Sequence, residues 1–146
     1  MSAKGILSAA ELSHREAIRE LLARYCYLHT DHDYAGIAAL FAEHGCFESL
    51  AGPCLGRQAI RDYYLKVMRH DSAVPDRKHF VSEVLIDLQG DHASVKSQFL
   101  LVRQAGPALE VSAAGRYHDQ VVLLDGEWRF RHRLVLLDHR ADMGLG

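Results

Sequence analysis

The first apolar stripe of the chain has helical spacing. Its members recur every three or four positions: Ile18, Leu21, Leu22, Tyr25 and Leu28. This spacing predicts an amphipathic helix that ends near Thr30. Two capping-box sequences, Ser8 with Glu11 and Ser13 with Glu16, offer alternative starting points for this helix.

Shorter elements are predicted after this helix. A second helix begins after Asp33 and ends at Gly45. Its apolar residues are Ile37, Ala38, Leu40 and Phe41. A strand is predicted over Cys46–Ser49, and a third helix over Arg57–Arg69. Turn residues separate these last two elements: Gly52, Pro53 and Gly56.

From residue 78 onward, apolar residues alternate with polar ones and many are β-branched or aromatic. This pattern predicts four strands: His79–Leu88, Ala93–Arg103, Leu109–Leu124 and Trp128–Asp138. The links between them are short and rich in glycine, so neighbouring strands should run antiparallel. The small residues Ala113, Ala114 and Gly115 predict a bend or bulge in the long third strand.

Together these elements predict an α+β fold, in which a curled antiparallel sheet packs against about three N-terminal helices and encloses a pocket. We expect one domain over residues 1–146, with a core at about 13–138 and short flexible termini. Several strand residues should need cover on the outer face of the sheet: Leu100, Val102, Val122, Val135 and Leu137. The sequence therefore predicts at least a dimer.

Charge and hydropathy exclude two classes of partner. The formal net charge is -2 and the sequence pI is about 6.5, with no long run of Lys or Arg to bind a phosphate backbone. Nothing approaches 18 consecutive apolar residues, and the first fifteen residues lack the apolar stretch of a signal peptide. We therefore expect no nucleic acid partner, no membrane association and a cytoplasmic location.

Cysteine and histidine spacing predicts neither a disulfide framework nor a metal site. The three cysteines include no C-x-x-C pair, and His29 with His32 lacks the context of a zinc motif. Glycine-rich phosphate loops are also missing from the sequence. We expect no metal and no cofactor.

The candidate chemistry is that of a carboxylate and an imidazole. Asp31 stands at the end of the first helix, and His79 opens the first long strand. A carboxylate that fixes the tautomer of a histidine makes it a useful general base near neutral pH. Tyr27 lies one helical turn before Asp31 and is a candidate donor to a substrate oxygen.

Several segments carry a family resemblance: Ala17–Tyr25, Asp31–Asp33, Ala39–Ala42, Gly56–Ile60, the strand from His79, Gly115–Tyr117 and Asp125–Trp128. They resemble the SnoaL-like branch of the cone-shaped superfamily named for nuclear transport factor 2. The resemblance covers about residues 13–138. It implies a deep apolar pocket and an assembly into a homodimer or homotrimer.

The resemblance also implies a reaction. Asp31 and His79 are similar to the catalytic dyad of scytalone dehydratase and of hexachlorocyclohexane dehydrochlorinase, both of which eliminate a leaving group. It therefore implies a cofactor-independent lyase for a small, cyclic, hydrophobic substrate, with Asp31 orienting His79. A SnoaL-like cyclase or isomerase is one alternative, and a non-catalytic small-ligand or dioxygenase small-subunit-like protein is another.

Further residues are candidates for substrate contact. Phe47 resembles a pocket aromatic of the dehydrochlorinase, and Tyr64 and Tyr117 are plausible walls. Arg133 matches a catalytic arginine of that relative, but it shares strand parity with Arg129 and Arg131, which favours a solvated basic stripe. Either His132 or Arg133 should face inward, and a bulge would decide which.

Overall fold

The computed structural model describes residues 5–68 and 77–140. Within them the elements are α1 (Ala9–Thr30), α2 (Tyr34–Ala39), β1 (Phe41–Ser49), β2 (Gly52–Leu55), α3 (Arg57–Val67), β3 (Arg77–Gln89), β4 (His92–Ala105), β5 (Ala108–Leu124) and β6 (Glu127–Arg140). No helix in these two ranges is long and apolar enough to cross a membrane. The expected terminal flexibility and the predicted helix end at Arg69 lie outside the described residues.

The strands form one curled sheet in the order β2-β1-β6-β5-β4-β3. All neighbouring strands are antiparallel except β1 and β6, which run parallel. The helices pack against the inner face, and aromatic side chains from α1, α3 and the sheet fill the space between them. The predicted α+β cone is thus confirmed.

The first helix begins where one of the capping boxes predicts. Ser8 is the N-cap, and its side chain accepts a hydrogen bond from the backbone N–H of Glu11 at 3.1 Å. The predicted apolar stripe of this helix is buried, with Ile18, Leu22 and Tyr25 at the interface with the sheet. Helix α1 therefore supplies one wall of the interior.

Two short elements differ from the sequence prediction. The second helix ends at Ala39, not Gly45, and the chain continues directly into β1. The backbone N–H of Phe130 donates to the carbonyl of Leu40 at 2.9 Å, and buried Phe41 packs on the Phe130 ring. Pairing with β6 thus overrides the helical pattern. Gly52 and Pro53, predicted as turn residues, belong to β2.

The predicted bend in β5 is present. The register shifts between Leu101 and Val102 on β4, opposite Ser112, and again between Ala114 and Gly115 on β5. A Cβ atom on Gly115 would lie 2.3 Å from the carbonyl oxygen of Leu136 and 2.7 Å from ring carbons of Phe99. Only glycine allows this close approach at the bend.

A further bulge reverses the parity of β6. Phe130 pairs with Val121 and His132 pairs with Gln120, so Arg131 is an extra residue on β6. Arg133 consequently shares the inner face with Phe130 and is fully buried, whereas His132 turns outward. The interpretation of Arg133 as part of a solvated basic stripe is therefore wrong.

The bulges in the sheet also change which of the predicted apolar residues lie on its outer face. Val122 is buried, and Val135 and Leu137 line an interior cavity rather than the outer surface. Leu100 does remain on the outer face, where it is 43% exposed and pairs with exposed Phe80. The apolar outer surface is thus smaller than the alternating pattern predicts.

Candidate active site

Three tyrosines and an arginine meet inside the cone. Tyr25 comes from α1, Tyr64 from α3, Tyr117 from β5 and Arg133 from β6, and all four are buried. The hydroxyls of Tyr25 and Tyr64 are hydrogen-bonded to each other. Burial raises the pKa of Tyr64 and of Tyr117 well above the usual value, so both phenols keep their protons at neutral pH.

Arg133 places a positive charge in this aromatic cluster. Its guanidinium carbon lies 3.5 Å from the ring centroid of Tyr117 and 4.1 Å from that of Tyr25. Its Nε lies 3.3 Å from a carboxylate oxygen of Asp119, which is also buried. Burial raises the pKa of Asp119 to about 6, and the arginine charge opposes this shift. The cluster thus contains a charge pair removed from water.

His79 is bound into the same cluster through both ring nitrogens. Its Nε2 lies 2.6 Å from the hydroxyl of Tyr117, and its Nδ1 lies 3.0 Å from the sulfur of Cys26. Burial, followed by the nearby His29 and Arg133, holds the pKa of His79 well below 6.5. Burial also raises the pKa of Cys26 to about 11, so the sulfur remains a thiol. His79 is therefore a neutral link between a thiol and a phenol.

His29 is the second buried imidazole. Its ring centroid lies 4.9 Å from that of His79, and its Nδ1 has no hydrogen-bond partner within the described ranges. Burial and the Arg77 charge lower the pKa of His29 to about 4. An imidazole in this state is neutral at pH 7 and has a nitrogen that can accept a proton.

A cavity of about 250 Å³ opens beside these groups. Its polar wall includes Tyr25, His29, Tyr64 and Tyr117. The apolar wall includes Phe47, Leu50, Ala51, Val67, Met68, Phe99, Leu101, Val135 and Leu137. Ligand pockets usually measure roughly 300–1,000 Å³, so this cavity suits a small, largely apolar molecule.

Asp31 and His79 do not form the predicted pair. In the described parts of the chain, neither ring nitrogen of His79 contacts Asp31, because both are hydrogen-bonded to Cys26 and Tyr117. Asp31 is the C-cap of α1 and is exposed, whereas Thr30, one residue earlier, faces β3. The Thr30 hydroxyl accepts a hydrogen bond from the backbone N–H of His79 at 3.2 Å. Helical rotation of one residue thus separates Asp31 from the histidine.

The predicted catalytic residues instead surround a surface pocket of about 440 Å³. Tyr27, Asp31 and the edge of His79 line it, and the Tyr27 side chain is 74% exposed. Tyr27 therefore does not reach the interior cavity. That cavity is lined by Phe47, Tyr64 and Tyr117. Arg133 does not line it but stacks on the Tyr117 ring, and His132 lies on the other face of the sheet.

Two residues of the cluster were not predicted from the sequence. His29 lies four residues after Tyr25, on the stripe that the helical spacing identifies as buried. Asp119 lies two residues after Tyr117 on β5 and so shares its inward face. A charged residue at an inward strand position requires a buried partner of opposite charge.

The pKa of His29 predicts a measurable pH dependence. Between about pH 6.5 and pH 4, the unfolded chain binds a proton that the native imidazole does not bind, so stability should fall as the pH falls. The contribution of His29 to the free energy of unfolding should be complete above pH 6.5 and should fall by about 3 kcal/mol by pH 4. Urea unfolding of the native chain and of His29→Gln at several pH values measures this difference.

The difference between the native protein and the His29→Gln variant isolates the contribution of His29 to stability. Asp119, whose pKa is raised to about 6, contributes in the opposite direction over part of this range, but it is present in both chains. The difference between their unfolding free energies should therefore shrink from pH 7 to pH 4. Parallel stability curves would show that His29 is protonated normally in the folded protein.

Comparison with families and curated proteins gives one match and one absence. A family model described as a SnoaL-like domain matches residues 10–134. No curated protein matches this chain.

Solved structures share the fold. One is an Asp→Asn variant of a protein of unknown function from Mycobacterium tuberculosis, at 28% identity and TM-score 0.79, with 88% of this chain and 78% of that chain covered. A candidate scytalone dehydratase from Novosphingobium aromaticivorans is 24% identical, with TM-score 0.77 and coverage of 90% and 88%. The β subunit of a candidate aromatic-ring-hydroxylating dioxygenase from the same organism is 16% identical, with TM-score 0.74 and coverage of 92% and 94%. At 24% and 16% identity, the similarity to the last two structures shows a shared fold and no more.

Proposed function

The chain belongs to the SnoaL-like domain family, and from this premise we propose that it is a cofactor-independent lyase that eliminates a hydroxyl or similar group from a small cyclic carbonyl compound. The observation that carries the proposal is the composition of the interior cavity. A neutral imidazole, His29, and a protonated phenol, Tyr117, open onto the same apolar space.

His29 is the general base of this proposal, in place of the dyad expected from the sequence. Its Nδ1 is buried and has no partner among the described residues, whereas both nitrogens of His79 are engaged. An imidazole within reach of a carbon next to a carbonyl group can remove its proton. The charge that develops on the substrate oxygen also favours the protonated form of His29 during the reaction.

Tyr117 stabilises the oxyanion. If Cys26 donates its S–H to Nδ1 of His79, Nε2–H donates to the Tyr117 oxygen, and the Tyr117 O–H, which is also hydrogen-bonded to the Tyr25 side chain, can turn to a substrate oxygen. His79 is then a positioning residue. The Arg133 charge beside the Tyr117 ring supports negative charge on this side of the cavity.

The elimination balances without an external reagent. His29 takes the proton from the carbon next to the carbonyl, and the electron pair of that C–H bond forms the enolate. The enolate then forms the carbon–carbon double bond as the C–O bond at the β-carbon breaks. The protonated His29 returns its proton to the departing hydroxyl, and water leaves.

To test this proposal, the protein is incubated in D₂O with a library of β-hydroxy ketones that contain one or two rings. Each reaction is followed by proton NMR. We expect deuterium exchange next to the carbonyl and loss of water for at least one compound. His29→Gln should lower both rates by roughly 10² to 10⁴. Asp31→Asn is the matched control, because Asp31 is exposed outside the cavity, and its rates should stay within about threefold. A large loss in Asp31→Asn together with little change in His29→Gln would instead favour the dyad inferred from the sequence.

One observation favours a second function, the binding of a small apolar ligand without turnover. Of the described residues, no carboxylate lines the interior cavity, and the pKa of His29, about 4, makes its resting imidazole a weak base. Such a protein would bind cyclic ketones in calorimetry and show no deuterium exchange. Purification together with a larger chain would support the dioxygenase small-subunit-like alternative.

The assembly proposed with this function is a homodimer or homotrimer. Phe80 and Leu100 are paired on the outer face of the sheet and are 49% and 43% exposed. Covering them requires a partner, because the helices occupy the other face. Light scattering at micromolar concentration should give a mass of at least two chains for the native protein and of one chain for Leu100→Lys. A monomeric native protein would contradict the proposal.

A further inference from the structure

A second group of chemistry-bearing side chains lies on the outer face of the sheet. Cys46 and Glu48 alternate along β1 and so point to the same side. His132 on β6 pairs with Cys46 across the two strands. Its Nε2 lies 2.9 Å from a carboxylate oxygen of Glu48. One ligand atom from each of the three residues lies within 4.8 Å of the others.

We infer that Cys46, Glu48 and His132 form a binding site for a divalent transition metal ion, with Zn²⁺ as the best fit. A thiolate, a carboxylate and an imidazole are the three ligand types that zinc accepts in proteins. Hard cations such as Mg²⁺ and Ca²⁺ select oxygen ligands and do not suit a cysteine. The donor set is thus specific for a borderline-soft ion.

The distances support this assignment. Bonds of about 2.1 Å at tetrahedral angles place neighbouring ligand atoms about 3.4 Å apart. The separation of 2.9 Å between His132 and Glu48 is already near this value, and rotation of the Cys46 side chain can close a gap of at most 4.8 Å. The strands themselves need not move, because the hydrogen-bonded ladder holds the three positions in register.

The exposure of the cluster leaves room for an open coordination position. The side chains of His132 and Glu48 are 34% and 42% exposed, so water can complete a tetrahedral shell. The site is separate from the interior cavity, since Arg133, the residue after His132, faces the other side of the sheet. The inference therefore does not depend on the proposed lyase activity.

The location also predicts an effect on the fold. The parallel ladder between β1 and β6 is irregular between Phe41 and Cys46, directly before the cluster. A metal ion bound to residues from both strands would join them where regular pairing resumes. Bound Zn²⁺ should consequently raise the Tm, since a ligand that binds only the folded state stabilises it.

The experiment uses Co²⁺ as a spectroscopic probe for Zn²⁺ on the full chain after treatment with a chelator. We expect one Co²⁺ per chain, visible d–d absorption of a tetrahedral ion, a thiolate-to-metal charge-transfer band, and displacement of Co²⁺ by Zn²⁺. Loss of an outer-shell partner typically weakens metal binding by about 10- to 100-fold, so removal of a ligand in His132→Asn or Glu48→Gln should cost at least tenfold. Cys46→Ser should remove the charge-transfer band.

Cys54→Ser is the matched control. Cys54 is also half-buried and lies on the neighbouring strand β2, but it is paired with Phe47 and packs against the core. This variant should keep the band, the stoichiometry and the metal-dependent rise in Tm. A native chain without the band, or a band that survives in Cys46→Ser, would overturn the inference. Thermal unfolding of each metal-free variant verifies that it is folded before titration.

Discussion

Replacing Tyr117 with phenylalanine should lower the rates of deuterium exchange and elimination by roughly 10² to 10³, the usual cost of removing one donor to a developing oxyanion. The fold should persist, because the ring still stacks on Phe99 at a centroid distance of 4.6 Å. The rates are measured by NMR with the ketone that the library identifies. Affinity for this ketone should change much less than turnover, because the apolar walls supply most of the contacts.

Tyr63→Phe provides the control for this result. Tyr63 lines the same cavity, but its hydroxyl lies 3.2 Å from that of Ser49, away from the pair formed by His79 and Tyr117. Its loss should alter turnover by no more than about threefold. If Tyr63→Phe and Tyr117→Phe reduced turnover equally, the cavity would act as a general polar wall, and the assignment of Tyr117 as oxyanion donor would fail.

Replacing Arg133 with alanine should lower the free energy of unfolding by about 3–5 kcal/mol, because it leaves the Asp119 carboxylate buried without its counter-charge. The guanidinium also packs between aromatic rings, so the loss includes these contacts. Urea unfolding at pH 7 measures the effect. The double variant Asp119→Asn with Arg133→Met should be more stable than Arg133→Ala, since it removes both charges and retains an apolar chain of similar length.

An exposed ion pair supplies the comparison. On the outer face, a guanidinium nitrogen of Arg116 lies 2.8 Å from a carboxylate oxygen of Asp138, and the two side chains are 46% and 35% exposed. Arg116→Ala should lower the free energy of unfolding far less than Arg133→Ala does, because water screens this pair. A similar loss for Arg116→Ala and Arg133→Ala would show that burial does not govern the contribution of Arg133.

Local patterns predicted most of the fold. Ser8 and the apolar stripe of α1 determine the start and orientation of that helix, and the alternation after residue 78 gives four strands close to their observed bounds. Phe41–Gly45 could not be predicted as strand from local spacing. Its β structure depends on pairing with β6, almost 90 residues later in the chain.

The candidate site was less predictable, because it depends on small local rotations. The helix-end position of Asp31, the strand-start position of His79 and the family resemblance predicted a pair, but the end of α1 turns Thr30, and not Asp31, toward the histidine. His29 shares the buried stripe, yet its chemistry becomes apparent only when α3 and the sheet enclose it. The outer cluster joins residues 84 positions apart, so no local motif reveals it.

The extra residue at Arg131 has a consequence for how this protein can change. Because this residue is unpaired, the side chains after it change faces of the sheet, so that His132 lies on the outer surface and Arg133 in the interior. Deletion of Arg131 would leave both environments in place, but regular pairing of Arg131 within the ladder would exchange them, turning an imidazole toward the tyrosines and a guanidinium toward the outer surface. Loss of the bulge without loss of a residue would therefore affect two chemistries at once, whereas a substitution at His132 or Arg133 affects only one. Homologues that keep the length of this strand while varying its outer residues could alter the surface cluster without disturbing the cavity.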